Sequence, residues 1–383
     1  MGGITGNIIR NIMGKMTHRR RRRRGNEDPR GTYGRRGMRR VFMAAAAILV
    51  SLFLYQTCRL YLEHKVLSDE AGQWRSARTE KPDADKWDAD KPDAGVGNCV
   101  EYQGKTYRRN TYVKAVLCMG IDRSGSLEEA TTAGSGGQAD GIFLVAQDTA
   151  RERIRVLMIP RDTMTEITLT DLRGNVLGKD IQHLTLAYAY GDGREKSCRY
   201  MTEAVGNLLG GLPLDGYMAV SMSALPIAND RVGGVTVTIE DGSLSNVSPE
   251  FVRGRTLTLQ GKQAEAYVRY RDTGEAQSAL VRTERQKSYI RGFLAAARNK
   301  SGRDEGFVPK LMKEIEPYMV TDMAKDRYLD MALAFLRGSQ EFSEADMLTL
   351  PGTAVETPVY DEYHPDKEKI MPIVLDLFYR LEE

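Results

Sequence analysis

The stretch RIRVLMIPRDTMTEI, residues 153–167, contains a short apolar strand that ends in charged residues. Residues 156–159 form a run of the length that pairs inside a sheet, and Pro160 ends it. Arg161 and Asp162 follow at once. A local ion pair between these two would explain the pattern, but ligands of α/β sheets also bind where strands end. Because a guanidinium donates paired hydrogen bonds to phosphate, Arg161 is a candidate phosphate ligand.

Strands and helices alternate on both sides of this stretch. Apolar or alternating patterns predict strands over residues 113–122, 140–148, 153–160, 217–222 and 234–241. Helical periodicity predicts helices over residues 199–210, 261–272, 283–300 and 306–320. This alternation indicates one α/β or α+β domain in which helices cover a central sheet.

The N-terminal 40 residues have a very different charge from the rest of the chain. Residues 1–40 contain thirteen Lys or Arg, including the run Arg19 to Arg24, and only two acidic residues, a net charge of +11. Since the whole chain of 383 residues carries +3, the remainder carries −8. The arginine run would suit a retention signal or a nucleic-acid patch, but beside a membrane it more simply attracts anionic lipid.

An uncharged apolar segment, VFMAAAAILVSLFLYQTC, follows at residues 41–58. At about 1.5 Å per residue it is roughly 27 Å long as a helix, enough to cross the hydrocarbon core. The positive-inside rule places residues 1–40 in the cytoplasm and the bulk of the chain outside. The alternative is a cleaved signal peptide, but no small-residue cleavage site follows the segment. The sequence therefore predicts a single-pass transmembrane anchor.

Residues 59–98 are predicted to be a disordered stalk. They include TEKPDADKWDADKPDAG, residues 79–95, an imperfect repeat of Lys, Pro, Asp and Ala. Such a segment has too little apolar area to offset the entropy of ordering it. The folded extracytoplasmic domain is expected over residues 99–383, with a helical extension at its C-terminus.

The cysteines and histidines say little about disulfides or metal binding. Cys58 ends the apolar segment, and Cys118 lies in an apolar strand where it is expected to be a core residue. If the domain has a disulfide, Cys99 with Cys198 is the expected pair. The four histidines are scattered, and neither an H-E-x-x-H nor a C-x-x-C spacing predicts zinc.

Common catalytic motifs are missing from the sequence. It has no G-x-x-x-x-G-K-[ST], so the Gly-rich TAGSGGQADG at residues 132–141 is more typical of a flexible loop than of a nucleotide cradle. It also has no G-x-S-x-G, which argues against a serine hydrolase.

Polar side chains at predicted strand and helix ends suggest a different site. They are Asp122, Asp140, Arg161, Asp162, Arg269, Arg271, Arg282, Arg285 and Gln286. Arginine suits phosphate because its planar fork keeps its charge. Two nearby carboxylates suit Mg²⁺, which typically bridges phosphates and keeps waters. The pattern favours an arginine-rich phosphate site.

An ordered series of motifs resembles a known family. The series is MGIDRSG, QADGIFLVAQD, IPRDT, LAYAYGDG, NDRVGGVTVTI, LQGKQAEAYVRYRD and RTERQ. Together with the apolar segment and the basic tail, it resembles the extracytoplasmic LytR-CpsA-Psr family of bacterial cell-wall proteins. The resemblance runs from about Val113 to about Phe293 and continues weakly through YMVTDM, residues 318–323.

The resemblance implies an α/β/α domain, a central mixed sheet with helices on both faces, and an apolar pocket for a polyprenyl chain. It further implies a membrane-anchored, Mg²⁺-dependent phosphotransferase of the bacterial cell membrane. Such an enzyme moves a glycopolymer from its undecaprenyl-pyrophosphate carrier to a peptidoglycan hydroxyl, forming a phosphodiester. The implied partners are that lipid-linked glycopolymer, peptidoglycan and membrane lipid, with no nucleic acid.

The resemblance also assigns residue roles. Asp122 and Asp140 would hold Mg²⁺, and one of them would help to deprotonate the acceptor. The implied catalytic residues are Asp122, Asp140, Arg161 and Arg271. The implied pyrophosphate ligands are Arg161, Arg269, Arg271 and Arg282, with Arg285 and Gln286 in support.

One position departs from the family pattern. Many members have an aspartate three residues before the first arginine of the R-x-x-R-Q run, where this chain has Ala279. Either Glu275 or Asp272 replaces it, or the loop before the run is longer in this chain. Two alternatives to a ligase therefore stay open: a noncatalytic protein of envelope regulation that binds polyprenyl phosphate or wall polymer, and a polyprenyl-pyrophosphate pyrophosphatase.

Overall fold

The computed structural model describes residues 99–130, 132–272, 274, 278–337, 342–357 and 360–382. The predicted cytoplasmic tail (1–40), transmembrane helix (41–58) and stalk (59–98) lie outside these residues. Within the described ranges, no helix combines the length and the hydrophobicity needed to span a bilayer.

Strands and helices alternate along the described chain. The strands are β1 (Cys99–Tyr102), β2 (Lys105–Arg109), β3 (Val113–Ile121), β4 (Ala139–Asp148), β5 (Arg153–Met158), β6 (Met164–Thr170), β7 (Val176–His183), β8 (Gly216–Ser221), β9 (Val235–Thr238), β10 (Thr256–Leu259), β11 (Met319–Thr321), β12 (Met347–Thr349), β13 (Gly352–Glu356), β14 (Asp361–Pro365) and β15 (Tyr379–Leu381). The helices are α1 (Thr185–Ala189), α2 (Glu195–Leu208), α3 (Ala224–Arg231), α4 (Lys262–Arg269), α5 (Ser278–Ser301), α6 (Phe307–Ile315), α7 (Lys325–Arg337) and α8 (Lys367–Phe378).

The central sheet has six strands in the order β11-β8-β3-β4-β5-β12. The pairs β3 with β8 and β5 with β12 are parallel, whereas β3 with β4, β4 with β5, and β8 with β11 are antiparallel. The predicted mixed sheet is thus confirmed. Since β3 and β5 run in the same direction, both of them end at the same edge of the sheet.

Both faces of the sheet are covered. Along β3, Leu117 and Met119 lie in one buried cluster, and Val116 and Cys118 lie in another. The first cluster includes residues of α1, α2 and α8, and the second includes residues of α4, α5, α6 and α7. Alternate side chains of the strand therefore enter two cores, which confirms the α/β/α arrangement.

The fold differs from the sequence prediction near the C-terminus. The helix predicted over 306–320 ends at Ile315, because Pro317 lies in a short 3-10 helix and Met319–Thr321 forms β11 at the sheet edge. The C-terminal part is also not a helical extension alone, since β12 completes the other edge and β15 pairs with β2. These strands are only three residues long, too short to show a periodic pattern.

The expected disulfide is wrong, because Cys99, Cys118 and Cys198 are free thiols. Cys198 is fully buried on α2, whereas the Cys99 Sγ contacts the Glu382 carboxylate on the three-stranded sheet of β1, β2 and β15. Burial raises the pKa of the Cys118 thiol to about 12 and also raises the pKa of Cys198. Both buried thiols are therefore protonated at neutral pH and act as small core residues.

Candidate active site

Two aspartates lie at the sheet edge where β3 ends. Asp122 directly follows β3, and its backbone N–H donates to the Gln138 carbonyl at 2.9 Å. Asp140 is on the neighbouring β4, where Ile121 pairs with Ala139 beyond a bulge. Asp122 is 42% exposed at its side chain and Asp140 only 8%. The two carboxylates thus come from adjacent strands but differ in their access to solvent.

Arg161 lies beside Asp140 at the same edge. Its Nη1 donates to Asp140 Oδ1, and its Nη2 donates to the Gln138 side-chain oxygen at 2.6 Å. Its Nε is 3.3 Å from Asp162 Oδ1 but is buried without a hydrogen-bond partner. The local Arg161–Asp162 pair considered from the sequence exists, but the hydrogen-bonded partners of Arg161 are on β4 and the loop before it.

The glycine-rich loop before β4 holds Gln138 in place. A Cβ built on Gly136 would lie 2.6 Å from the Cα of Gly193, so two backbone segments touch there and only glycine fits. The loop is therefore packed against its neighbour, unlike the flexible loop expected from composition.

Arg271 approaches the cluster from the chain beyond α4. Its Nη2 donates to the Asp361 carboxylate, and its Nε donates to Ser278 Oγ at 2.9 Å. Its Nη1 is 3.8 Å from Asp162 Oδ2, which is itself buried without a hydrogen-bond partner. Asp162 thus lies between two arginines that belong to distant segments.

Arg282, on the first turns of α5, is the most buried arginine of the group. Its side chain is 5% exposed, and its Nη1 is 3.6 Å from Asp140 Oδ2. Burial lowers the pKa of Arg282, an effect that the nearby Asp140 charge opposes. One turn later, the Gln286 amide donates to the Asp140 carbonyl at 3.4 Å.

Arg269 lies at the more exposed side of the site. It donates to Glu265 on its own helix at 2.7 Å and to Asp122. Burial alone would lower the pKa of Arg269, but the Glu265 hydrogen bond and the Asp122 charge raise it overall. The guanidinium therefore connects α4 to the end of β3.

Arg285 has a different set of partners. It donates to the main-chain carbonyls of Tyr267 and Tyr270, and its Nε is 3.8 Å from Asp241. Burial lowers its pKa, and Asp241 opposes this effect. Arg285 thus holds the C-terminal end of α4, next to Arg269 and Arg271.

The arginines of the site are all paired with carboxylates. Four arginines (Arg161, Arg269, Arg271 and Arg282) lie against four aspartates (Asp122, Asp140, Asp162 and Asp361). Paired charges of this kind stabilise a buried cluster that would otherwise be costly to desolvate. An anion that bound to these guanidinium groups would therefore compete with the carboxylates.

The two predicted metal ligands suit a hard divalent cation. Asp122 and Asp140 supply carboxylate oxygens from neighbouring strands, and Mg²⁺ is typically held by one or two carboxylates together with substrate phosphates and waters. Among the residues that the structure describes, no group of three or more His, Cys, Asp or Glu could hold a metal unaided. The donor set fits a cation that a phosphate helps to bind.

The sequence analysis did not identify two residues that contact the site arginines, Asp361 and Gln138. Asp361 has no signal, because it lies ninety positions after Arg271 on the separate strand β14. Gln138 lies in the loop whose glycine content predicts flexibility, so the sequence does not indicate that it contacts Arg161. Ala279 is buried on α5. Of the two expected replacements for an aspartate there, Asp272 accepts a hydrogen bond from the Gly274 N–H, and Glu275 lies outside the described residues.

Known proteins resemble this chain in both sequence and fold. The LytR_cpsA_psr family matches residues 77–374. The Bacillus subtilis (strain 168) protein named polyisoprenyl-teichoic acid–peptidoglycan teichoic acid transferase TagU is 25% identical over 270 residues, which cover 70% of this chain and 78% of that protein. TagV of the same strain, also named a teichoic acid transferase, is 26% identical over 185 residues, 47% of this chain and 42% of TagV.

Three solved structures share the architecture. B. subtilis TagV superposes with a TM-score of 0.52 at 21% identity, covering 70% of this chain and 97% of that one. Protein gbs0355 from Streptococcus agalactiae gives 0.55 at 21% identity, covering 70% and 87%. TagT bound to LI-WTA gives 0.51 at 18% identity, covering 70% and 90%. Since the family match spans most of the chain and includes every site segment, this chain belongs to the LytR-CpsA-Psr family.

Proposed function

We propose that the chain is a membrane-anchored, Mg²⁺-dependent transferase that attaches a polyprenyl-pyrophosphate-linked glycopolymer to peptidoglycan through a phosphodiester. The observation that carries this proposal is the convergence of Arg161, Arg271 and Arg282, from three separate segments, on two buried aspartates. Guanidinium groups this close together need counter-charges, which Asp140 and Asp162 supply in this structure and which a diphosphate would supply in the complex. The names of the relatives support the donor and acceptor polymers.

The arginines would bind the diphosphate of the lipid carrier. Arg161 and Arg271 are about one-fifth exposed at their side chains, so both are open to a ligand from the sheet edge. Arg282 lies deeper and would supply positive charge from below, while Arg269 would close the exposed side. The planar forks of these residues suit the tetrahedral oxygens of phosphate.

Asp122 and Asp140 would hold Mg²⁺ once the arginines turn to the diphosphate. The two positive charges of Mg²⁺ match the two negative charges of a diphosphate diester, so binding both would leave the net charge of the site unchanged. The cation, when bound, would neutralise charge that develops on the phosphate oxygens during transfer.

The chain's own residues would position the reactants and move one proton. The acceptor hydroxyl oxygen forms a bond to the phosphorus next to the glycopolymer, and the bond from that phosphorus to the bridging oxygen breaks. Polyprenyl monophosphate leaves with the bridging oxygen, and the hydroxyl proton passes to a carboxylate. Asp122 is the better candidate acceptor of this proton because its side chain is 42% exposed, whereas Asp140 is enclosed by arginines.

The direct test is a joining reaction. Full-length protein in detergent, incubated with a polyprenyl-pyrophosphate-linked glycopolymer, Mg²⁺ and peptidoglycan oligosaccharides, should yield the joined product and polyprenyl monophosphate, both identified by mass spectrometry. EDTA should stop the reaction and added Mg²⁺ should restore it. Asp122→Asn should lower the rate by about 10²-fold or more, the usual range for a general base.

Other products would favour the other functions. Binding of the lipid with no product under any metal condition would favour a noncatalytic binding protein. Release of free glycopolymer phosphate without joining would favour a pyrophosphatase. These alternatives arise from Ala279 on α5, because many family members have a carboxylate at this position and this chain does not.

We also propose that residues 41–58 anchor the chain in the cell membrane, with residues 1–40 in the cytoplasm and the domain outside. The basic tail and the uncharged segment support this topology. Protease added to wall-stripped cells should digest the domain and leave a protected N-terminal fragment. Protection of the whole chain would contradict the proposal.

A further inference from the structure

A concave region lies far from the arginine site, which is formed by Arg161, Arg269, Arg271 and Arg282. It is a surface hollow of about 710 Å³, and we call it the tyrosine hollow after Tyr102, Tyr107, Tyr112 and Tyr379 in its wall. Tyr112 directly precedes β3, and Asp122 directly follows it. At about 3.3 Å per residue, this nine-residue strand separates the two regions by roughly 30 Å. The tyrosine hollow is therefore distinct from the arginine site.

The wall of the tyrosine hollow is rich in one type of side chain. Four of its fourteen lining residues are tyrosine, whereas the whole chain has 18 tyrosines in 383 residues. Tyrosine offers a rigid apolar ring with a hydroxyl at its end, which gives contact area at low entropic cost. Tyr112 is 58% exposed, so its ring is open to a ligand. This surface suits a ligand that has flat apolar faces and many hydroxyls.

The charges in the tyrosine hollow cancel. Two acidic and two basic residues line it: Asp148, Asp376, Arg151 and Arg380. Asp148 accepts from the backbone N–H groups of Ala150 and Arg151, each at 3.0 Å, and Asp376 is paired with Arg155. With no excess of either sign, the hollow favours an uncharged polar ligand over a polyphosphate or a cation. Its volume lies in the range of small-ligand sites.

We propose that the tyrosine hollow binds an uncharged saccharide chain, with sugar faces against the tyrosine rings and hydroxyl groups against the polar side chains. Given the proposed function, on which this second step rests, the saccharide is the glycan strand of peptidoglycan, bound through its uncharged N-acetyl sugar rings and not through its charged stem peptides. The hollow would keep the acceptor polymer beside the domain, so the arginine site meets acceptor hydroxyls at a raised effective concentration.

The test uses full-length protein in lipid nanodiscs and a β-1,4-linked tetramer of N-acetylglucosamine as the probe. Titration calorimetry should detect binding, and Tyr112→Ala should weaken it at least tenfold. Tyr112→Phe should bind like the wild type, because the ring and not the hydroxyl makes the main contact. Tyr360→Ala is the matched control, since Tyr360 is 65% exposed and adjoins Asp361 of the arginine site. Tyr102→Ala repeats the test if Tyr112→Ala does not fold.

Several outcomes would overturn the inference. They are no binding of the tetramer to the wild type, an equal loss in Tyr112→Ala and Tyr360→Ala, and preferential binding of an anionic glycopolymer in the hollow. Polyprenyl diphosphate binding and the joining reaction are measured in parallel. If the tetramer binds through Tyr112 but nothing is joined, the proposed function fails and the saccharide site stands. If joining occurs and Tyr112→Ala binds the tetramer normally, the saccharide site fails alone.

Discussion

Arg161→Ala is expected to weaken polyprenyl diphosphate binding by about 10- to 150-fold. The substitution removes charge-assisted hydrogen bonds to a partly buried anion, a loss of about 1.5–3 kcal/mol. Arg161→Lys restores the charge without the planar fork, so it should recover only part of the loss. Binding would be measured on full-length protein in detergent, by calorimetry with a short-chain polyprenyl diphosphate.

The matched control for this variant is Arg155→Ala on β5, the strand that precedes Arg161. Arg155 pairs with Asp376 away from the site and should leave the affinity unchanged. If Arg161→Ala lowers the melting temperature but leaves the affinity intact, Arg161 serves only the ion pairs with Asp140 and Asp162, and it does not bind the ligand.

Asp140→Ala is expected to lower the free energy of unfolding by about 3–5 kcal/mol. Asp140 contacts both Arg161 and Arg282, and the Arg282 side chain is only 5% exposed. Removal of the carboxylate leaves a buried guanidinium without its main counter-charge. Urea denaturation at neutral pH would measure the change.

A comparison with a surface pair shows whether burial is the cause. Asp376→Ala breaks another Asp–Arg pair, but the Asp376 side chain is 69% exposed, so the expected loss is about 1 kcal/mol or less. Equal losses in the two variants would mean that the Asp140 pair is no more important to folding than a surface pair. The double variant Asp140→Ala/Arg282→Met should recover part of the stability, because it also removes the orphaned charge.

The sequence was most informative where a single strand carries its own signal. The apolar runs of β3, β4 and β5 identified three neighbouring strands, and the polar residues that follow β3 and β5 identified Asp122 and Arg161 as residues at one edge. Helical periodicity identified α4, which carries Arg269, and most of α5; Arg282 lies on the first turns of α5, before the predicted start at residue 283. Local patterns therefore predicted the central fold and most of the arginine cluster.

Features that depend on distant pairing could not be predicted in this way. Asp361 contacts Arg271 only because β13 and β14 fold back beside the site, and no local pattern reports that contact. β12 and β15 are too short for a periodicity, and the pairing of cysteines depends on distances that spacing does not give. The counter-charges of a site are harder to predict from sequence than its arginines, because a carboxylate from any segment can serve.

The late strands of the chain also determine when the site can form. β12 pairs with β5, and β15 pairs with β2, so segments from the two ends of the domain must meet before the sheets are complete. Contacts so distant along the chain are slow to form, since a long loop must close before they add stability. During synthesis, Arg161 and Arg282 emerge well before Asp361. A nascent chain therefore holds its arginines without the full set of counter-charges, and the finished site appears only when the last sixth of the domain has been made.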